Sequence, residues 1–172
     1  ASLYKIRHHL TPDVLKLLVH THVFPHISYC LSAWGGASRS RLDRVQRCLN
    51  FAARLVTGTR RSDHISPVLE SLQWERVETL VARHDTTIVH KCLTSEQCPE
   101  ALRDMFQQRS AVSARRTRAT DAGLLHLPKC RLSQTQRCFS YRAALTWNAL
   151  PPALKAITAR REFVKAMSEM RL

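Results

Sequence analysis

Apolar residues recur with helical spacing along most of this chain, and the clearest run lies between Leu42 and Val56. Leu42, Val45, Leu49, Ala52 and Val56 step by 3, 4, 3 and 4 positions, which predicts an amphipathic helix with one apolar face. At ~100° per residue, Arg44, Arg47 and Arg54 fall together on the other side, with Arg41 at its edge. Gly58 marks the end of the helix, and Arg60 and Arg61 follow where the chain turns. A helix that only had to pack would need the apolar stripe and its caps. This one carries a second stripe of fixed positive charge.

The neighbouring segments also read as helices. Residues 2–9 look like the tail of one, and Thr11-Pro12-Asp13 is a start signal of hydroxyl cap, first-position proline and first-turn acid. The helix that follows is expected to turn Val14, Leu17, Leu18 and Thr21 inward and to kink near Pro25. It should resume through Ile27 and Leu31 to Trp34, with Gly35-Gly36 as a left-handed stop. Ser66-Pro67 starts a short helix to Leu72. A longer one over about 75–91 places Val77, Leu80, Val81, His84 and Ile88 on one face, and Pro99 opens another that ends near Gln107.

Composition then shifts. "QQRSAVSARRTRATDAG" has few large apolar residues and carries Arg109, Arg115, Arg116 and Arg118, the pattern of a basic linker. "GLLHLPKCRLS" is apolar and broken by Pro128, which suggests a short extended segment near 123–132. Phe139, Ala143, Ala144 and Trp147 share a helical face ending at Leu150-Pro151-Pro152, and a last helix from about Ala159 presents Phe163, Ala166, Met167 and Met170. The expected architecture is mainly α: a small helical bundle over 1–62, a helical connector packed on it over 63–108, a basic linker over 109–122 and a C-terminal helical subdomain over 123–172.

Charge changes this picture from fold to function. The 172 residues hold 27 Lys and Arg against 13 acids, for a net charge of +14, and 21 of the 27 are arginine. Arginine offers a planar fork of donors suited to phosphate, where lysine offers a hydrated point charge. Such an excess points to a polyanion, most simply RNA, DNA or an RNA–DNA hybrid. Six cysteines lack the dense, even spacing of a disulfide framework. Cys30 and Cys48 sit in apolar periodic segments, where a reduced thiol acts as a small hydrophobe, so an intracellular, reducing compartment is expected. No stretch approaches the ~20 apolar residues of a membrane span. The chain begins without Met, already inside a helical pattern, as expected of a piece of something longer.

Candidate chemistry is thin. His22, His26 and Cys30 would stack on a continuous helix, but Pro25 disturbs the spacing and a fourth ligand is lacking. Cys92, Cys98, His126, Cys130 and Cys138 match no tight zinc spacing. Asp63-His64 and His84-Asp85 read as solvated loop and helix faces. Trp34, Trp74 and Trp147 each end an apolar stretch, which favours packing over base stacking. No adjacent aspartates and no glycine-rich phosphate loop occur.

The segment "FPHISYCLSAWGGASRSRLDRVQRCLNFAARLVTGTRRSDHISPVLESLQW" resembles the region after the fingers and palm in reverse transcriptases of LINE-type (non-LTR) retrotransposons, the Jockey-like and related clades. Pro25, His26, Tyr29, Cys30, Trp34 and Gly35 are similar to a P-H-x-x-Y-C-x-x-x-W-G segment of the family's thumb. Arg44 to Gly58 resembles its L-Q-x-x-Q-N-x-A-A-R-x-I-x-G pattern, departing at Cys48, Leu49 and Asn50 with the face pattern intact. "GLLHLPKCRLSQTQRCFSYRAALTWNALPPALK" is similar to its L-x-x-P-x-x-R…R-x-F…A-x-x-W-N-x-L-P box, so the likeness runs from Leu3 to about Phe163.

The resemblance implies a thumb-like bundle and post-thumb segment that close over the template–primer duplex. Arg41, Arg44, Arg47, Arg54, Arg60 and Arg61 would grip its backbone, and Arg115, Arg116 and Arg118 would add a looser clamp. It implies an RNA-directed DNA polymerase as the parent, with an upstream polymerase domain as partner and a nuclear or cytoplasmic ribonucleoprotein as the setting. The family's paired aspartates have no counterpart here, so no catalytic residue, metal site or cofactor is expected in this segment, and magnesium would belong to the palm. Two other readings fit the same pattern: a helical protein-interaction module, and a decayed transposon remnant with no nucleic-acid role.

Overall fold

The structure, a computed structural model, describes residues 2–112 and 123–170. Among these residues it is mainly helical, with no strand and a single antiparallel bridge between Gln108 and Leu125. The chain divides into two units, Ala1–Leu80 and Val81–Leu172.

The first unit holds α1 (Ser2–Ile6), α2 (Pro12–His22), α3 (Phe24–Ser28), α4 (Leu31–Trp34), α5 (Arg39–Thr57) and α6 (Ile65–Leu72). It also contains the start of α7 (Val77–Thr94). Thr11 caps α2 as its sequence signal requires, its hydroxyl accepting from the Val14 amide at 3.4 Å. The buried residues of α2 are Leu15 and Val19, while Val14 is 41% and Leu17 62% exposed and Thr21 is also exposed. The expected inward face is therefore wrong by a rotation of the helix. Two apolar rows run along it, and packing against α3 and α5 selects the row the spacing disfavoured.

The chain breaks at Val23, just before Pro25, whose ring would meet the carbonyl four residues earlier. It does not then run unbroken to Trp34. Tyr29 is extended and Cys30 adopts φ 49°, with the Tyr29 carbonyl accepting from Trp34 Nε1 at 2.9 Å. Gly35 stays right-handed at φ −61°, so Gly35-Gly36 is not the left-handed stop expected of it.

Around α5 the core closes on Leu49, Ala52, Ala53, Leu55 and Val56, joined by Val68, Leu69 and Leu72 of α6. Trp74 is buried and donates through Nε1 to His20 Nε2 at 3.2 Å, with Phe24 edge-on at a 5.0 Å centroid distance. Gln46 on the flank of α5 accepts from the Val77 amide at 2.8 Å, which supplies the start of α7 with a partner.

The second unit contains the rest of α7, α8 (Glu100–Arg103), α9 (Arg109–Val112), α10 (Ser133–Gln136), α11 (Phe139–Ala149), α12 (Pro152–Lys155) and α13 (Arg160–Glu169). Its core gathers Val89, Phe106, Leu125, Ala143, Ala144, Trp147, Leu150, Phe163 and Met167. Within the stretch expected as linker, Arg109–Val112 forms a helical turn and 113–122 lie outside the described residues.

Polar contacts explain why residues 81–108 group with those after 123. Asp85, fully buried, receives Arg142 through Nε at 2.6 Å and Nη2 at 3.2 Å. This corrects the expectation of a solvated His84-Asp85 pair; the carboxylate tolerates burial because a fork of charged donors meets it. His90, also buried, stacks on Phe163 at 4.2 Å and donates through Nε2 to the Ile157 carbonyl at 2.7 Å. Asn148 holds Leu125 from both sides, accepting its amide at 2.8 Å and donating to its carbonyl at 3.0 Å. The Trp-Asn pair of α11 thus fastens the non-helical segment from Gly123 onward, Trp147 Nε1 reaching the Gly123 carbonyl at 3.4 Å.

Asp85→Ala leaves a largely buried guanidinium without its carboxylate and should destabilise the chain by about 3–5 kcal/mol in urea unfolding. Asp85→Leu combined with Arg142→Met should recover most of that loss, and no recovery would show that the ion pair is not what holds this position.

Candidate nucleic-acid interface

The solvent side of α5 is built by the packing of its other side. With Leu49, Ala52 and Val56 buried, Arg44, Arg47 and Arg54 lie on the other side of α5, the first two exposed and Arg54 half-buried. Arg41 is exposed but points within ~20° of the direction of Ala52. Gly58 ends the helix in the left-handed conformation at φ 69°, its amide bonded to the Arg54 carbonyl at 2.9 Å. No atom lies within 4 Å of where a Cβ would sit, so glycine is favoured there by backbone conformation alone, the same left-handed region that Cys30 and Gln73 enter at a steric cost.

The turn that follows is tied by one carboxylate. Asp63 Oδ2 accepts from the Arg60 amide at 2.9 Å, and the Asp63 amide returns to the Arg60 carbonyl at 3.2 Å. Arg54 Nη2 donates to the Asp63 carbonyl at 3.0 Å. The aspartate's hydrogen bonds thereby shape the turn, and among the described residues its side chain forms no ion pair with an arginine of the array. Arg60 and Arg61 are exposed at the C-terminal end of α5.

Neutralisation decides whether these arginines can serve a ligand. Among the described residues, none of Arg41, Arg44, Arg47, Arg54, Arg60 or Arg61 forms an ion pair with a carboxylate. Asp43, which lies between Arg41 and Arg44 in sequence, pairs instead with Arg39 at 3.4 Å, and Arg39 also meets Glu78. Arg54 Nε is buried without an acceptor, an arrangement that costs of order 1–3 kcal/mol unless a further partner satisfies it.

Four of the expected arginines face one cleft. Arg47, Arg54, Arg60 and Arg61 line a cavity of about 660 Å³ together with Tyr4, Arg7, Asn50, Phe51, Leu55, Gly58 and Thr59. Arg41 and Arg44 lie nearer the other end of α5, and Arg44 borders a separate apolar groove of about 450 Å³. Arg115, Arg116 and Arg118 lie outside the described residues.

Sequence reasoning missed the aromatic half of the cleft. Phe51 is 51% and Tyr4 46% exposed, with ring centroids 5.8 Å apart, and the Arg7 guanidinium lies 4.3 Å over the Tyr4 ring. Phe51 was detectable, since it lies four residues after Arg47 and three before Arg54 and so shares their side of the helix. Tyr4 and Arg7 arrive by tertiary folding, and no local pattern announces them.

Other candidate groups do not assemble. His22 and His26 border the groove next to Cys48, while Cys30 sits at the break after α3, so the proposed helical row of three is interrupted. No group of three or more His, Cys, Asp or Glu side chains converges among the described residues. Trp74 and Trp147 are buried and Trp34 is half-buried. Cys30 and Cys48 are exposed, against the expectation that they pack as hydrophobes. Cys92 and Cys98 are buried instead, their sulfurs 3.1 Å apart.

Compared with known protein families, curated proteins and solved structures, the chain matches none. No helix among the described residues is long and apolar enough to cross a membrane.

Burial first, and the hydrogen bond with Cys98 second, push the Cys92 thiol up from 9.0 to about 12. Iodoacetamide should therefore label Cys30, Cys48 and Cys138 in the native chain and reach Cys92 only on unfolding, as read by mass spectrometry. The same shift makes stability fall as pH rises past 9.0 toward about 12, because only the unfolded chain releases that proton readily.

Proposed function

We propose that this chain grips a nucleic-acid backbone as the thumb and post-thumb segment of a LINE-type reverse transcriptase, without supplying the polymerase active site. The observation that carries the reading is the set of six arginines along α5 and its exit turn, exposed or half-exposed and unpaired with any carboxylate among the described residues. Packing of α5 explains where these positions lie and does not call for arginine at them. Arginine forks along one helix flank suit phosphates spaced along a strand, and contacts of that kind position a duplex without reading its sequence.

The motif likeness supports the same assignment from a separate direction. Residues of those motifs have structural duties here: Asn148 fastens Leu125, Trp147 reaches the Gly123 carbonyl, and the arginine-bearing helix ends on the left-handed Gly58. The partners would be RNA, DNA or their hybrid, with an upstream polymerase domain of the parent protein, inside a ribonucleoprotein. Any magnesium-dependent step would belong to that upstream domain.

If about five phosphates are neutralised, log K for an RNA–DNA hybrid should fall against log salt with a slope near −4 to −5. Arg44→Ala with Arg47→Ala should weaken binding to every sequence alike and flatten the slope by roughly 2. An affinity that ignores salt, or a double variant that binds as the parent does, rejects the assignment in favour of a protein-interaction module.

A further inference from the structure

We infer that the cleft at the C-terminal end of α5 holds one unpaired nucleotide, its base against Phe51 and its flanking phosphates on Arg54, Arg60 and Arg61. This deepens the reading above and rests on it. The argument begins with what a duplex cannot use. A double helix presents phosphates outward and keeps the faces of its bases stacked inside, so exposed aromatic rings gain little from duplex backbone. An unpaired base offers its π-face, and the natural ligand for half-exposed rings among arginines is a single-stranded nucleotide.

The geometry assigns the parts. Arg7 covers one face of Tyr4 at 4.3 Å, which commits that guanidinium to the ring. The Phe51 ring packs against Tyr4, tilted 32° at a 5.8 Å centroid distance, an ordinary aromatic-pair contact that covers one side of it. Phe51 is still 51% exposed, and the side turned away from Tyr4 is the surface left for a base. The cavity of about 660 Å³ lies in the size range of sites that take small ligands. Arg54 lines the cleft with Nη2 held by the Asp63 carbonyl; its Nε is buried out of reach of a ligand, so a phosphate would meet the Nη groups. Among the described residues, the lining itself holds four of the expected arginines and Arg7 and no carboxylate, Asp63 sitting beside it on the Arg60 amide.

The test compares three labelled probes on the full chain by fluorescence anisotropy: a twelve-residue oligothymidylate, an abasic sugar-phosphate strand of the same length, and an RNA–DNA hybrid. The base-bearing strand should bind about ten-fold or more tightly than the abasic one. Phe51→Leu keeps an apolar side chain at a half-exposed site and should bring that ratio close to one, while Phe51→Trp should restore it; thermal melting checks that each variant folds. Ultraviolet cross-linking of a thymidine analogue should map to Phe51 or Tyr4. A parent chain that binds the hybrid yet treats the two single strands alike overturns the cleft and leaves the duplex grip standing. A Phe51→Leu variant that keeps the full ratio also overturns it. Failure to bind any of the three probes overturns both readings.

Discussion

The arrangement of the first unit depends on the apolar seam along α5. Leu49 and Ala53 are fully buried and Ala52, Leu55 and Val56 nearly so, and each large apolar side chain removed from water contributes about 1.5–3 kcal/mol. Like charges one turn apart on a helix surface cost roughly 0.2–0.5 kcal/mol per pair. The seam outweighs that repulsion several-fold. The roll of the helix about its own axis is thus set by its packing, and the arginines take the side that packing leaves. Their placement is a by-product of burial that a charge-blind bundle would share. What is specific is that arginine fills those positions.

The same comparison explains which features could be read from the sequence. Most of the α5 seam was legible because Leu49, Ala52 and Val56 fall in one row. Leu42 and Val45 of that row are only half-buried, Ala53 and Leu55 join it from its sides, and Phe51 stands with the arginines. Gly58 was legible because a stop after a long periodic run has few alternatives. In α2, by contrast, Val14, Leu15, Leu17, Leu18 and Val19 offer two apolar rows, and only neighbouring helices decide between them. The break at Tyr29-Cys30 was hidden because nothing local forces φ 49° on a cysteine; it accompanies the Trp34 hydrogen bond to Tyr29. Asp85 looked solvated because its partner, Arg142, lies 57 positions away. The cleft was half visible for the same reason, its arginines being local and Tyr4 remote.

The acidic residues near the array carry a further lesson. Asp43 and Asp63 both lie close in sequence to the arginines, and simple charge counting would have them neutralise it. Asp43 is engaged by Arg39, and Asp63 turns its carboxylate to a backbone amide that shapes the Arg60–Asp63 turn. Local acids therefore shape the array without forming an ion pair with any of its six arginines among the described residues, although their own charges still lower the local net charge.

The array is densest at the C-terminal end of α5, and this location has an electrostatic reason. Unpaired carbonyls give a helix C-terminus a partial negative charge, and cations there gain about 0.3–1 kcal/mol. Arg54, Arg60 and Arg61 are favoured at that end before any ligand arrives, which offsets much of their mutual repulsion. An anion bound there is met by side-chain guanidinium groups, since the inward-directed amides that cradle phosphate belong to helix N-termini. Recognition through side chains on a rigid rod tolerates any base sequence and tracks the spacing of phosphates. On the proposed reading, an aromatic ring at the same end would add the one property a backbone grip lacks, which is sensitivity to whether a base is paired.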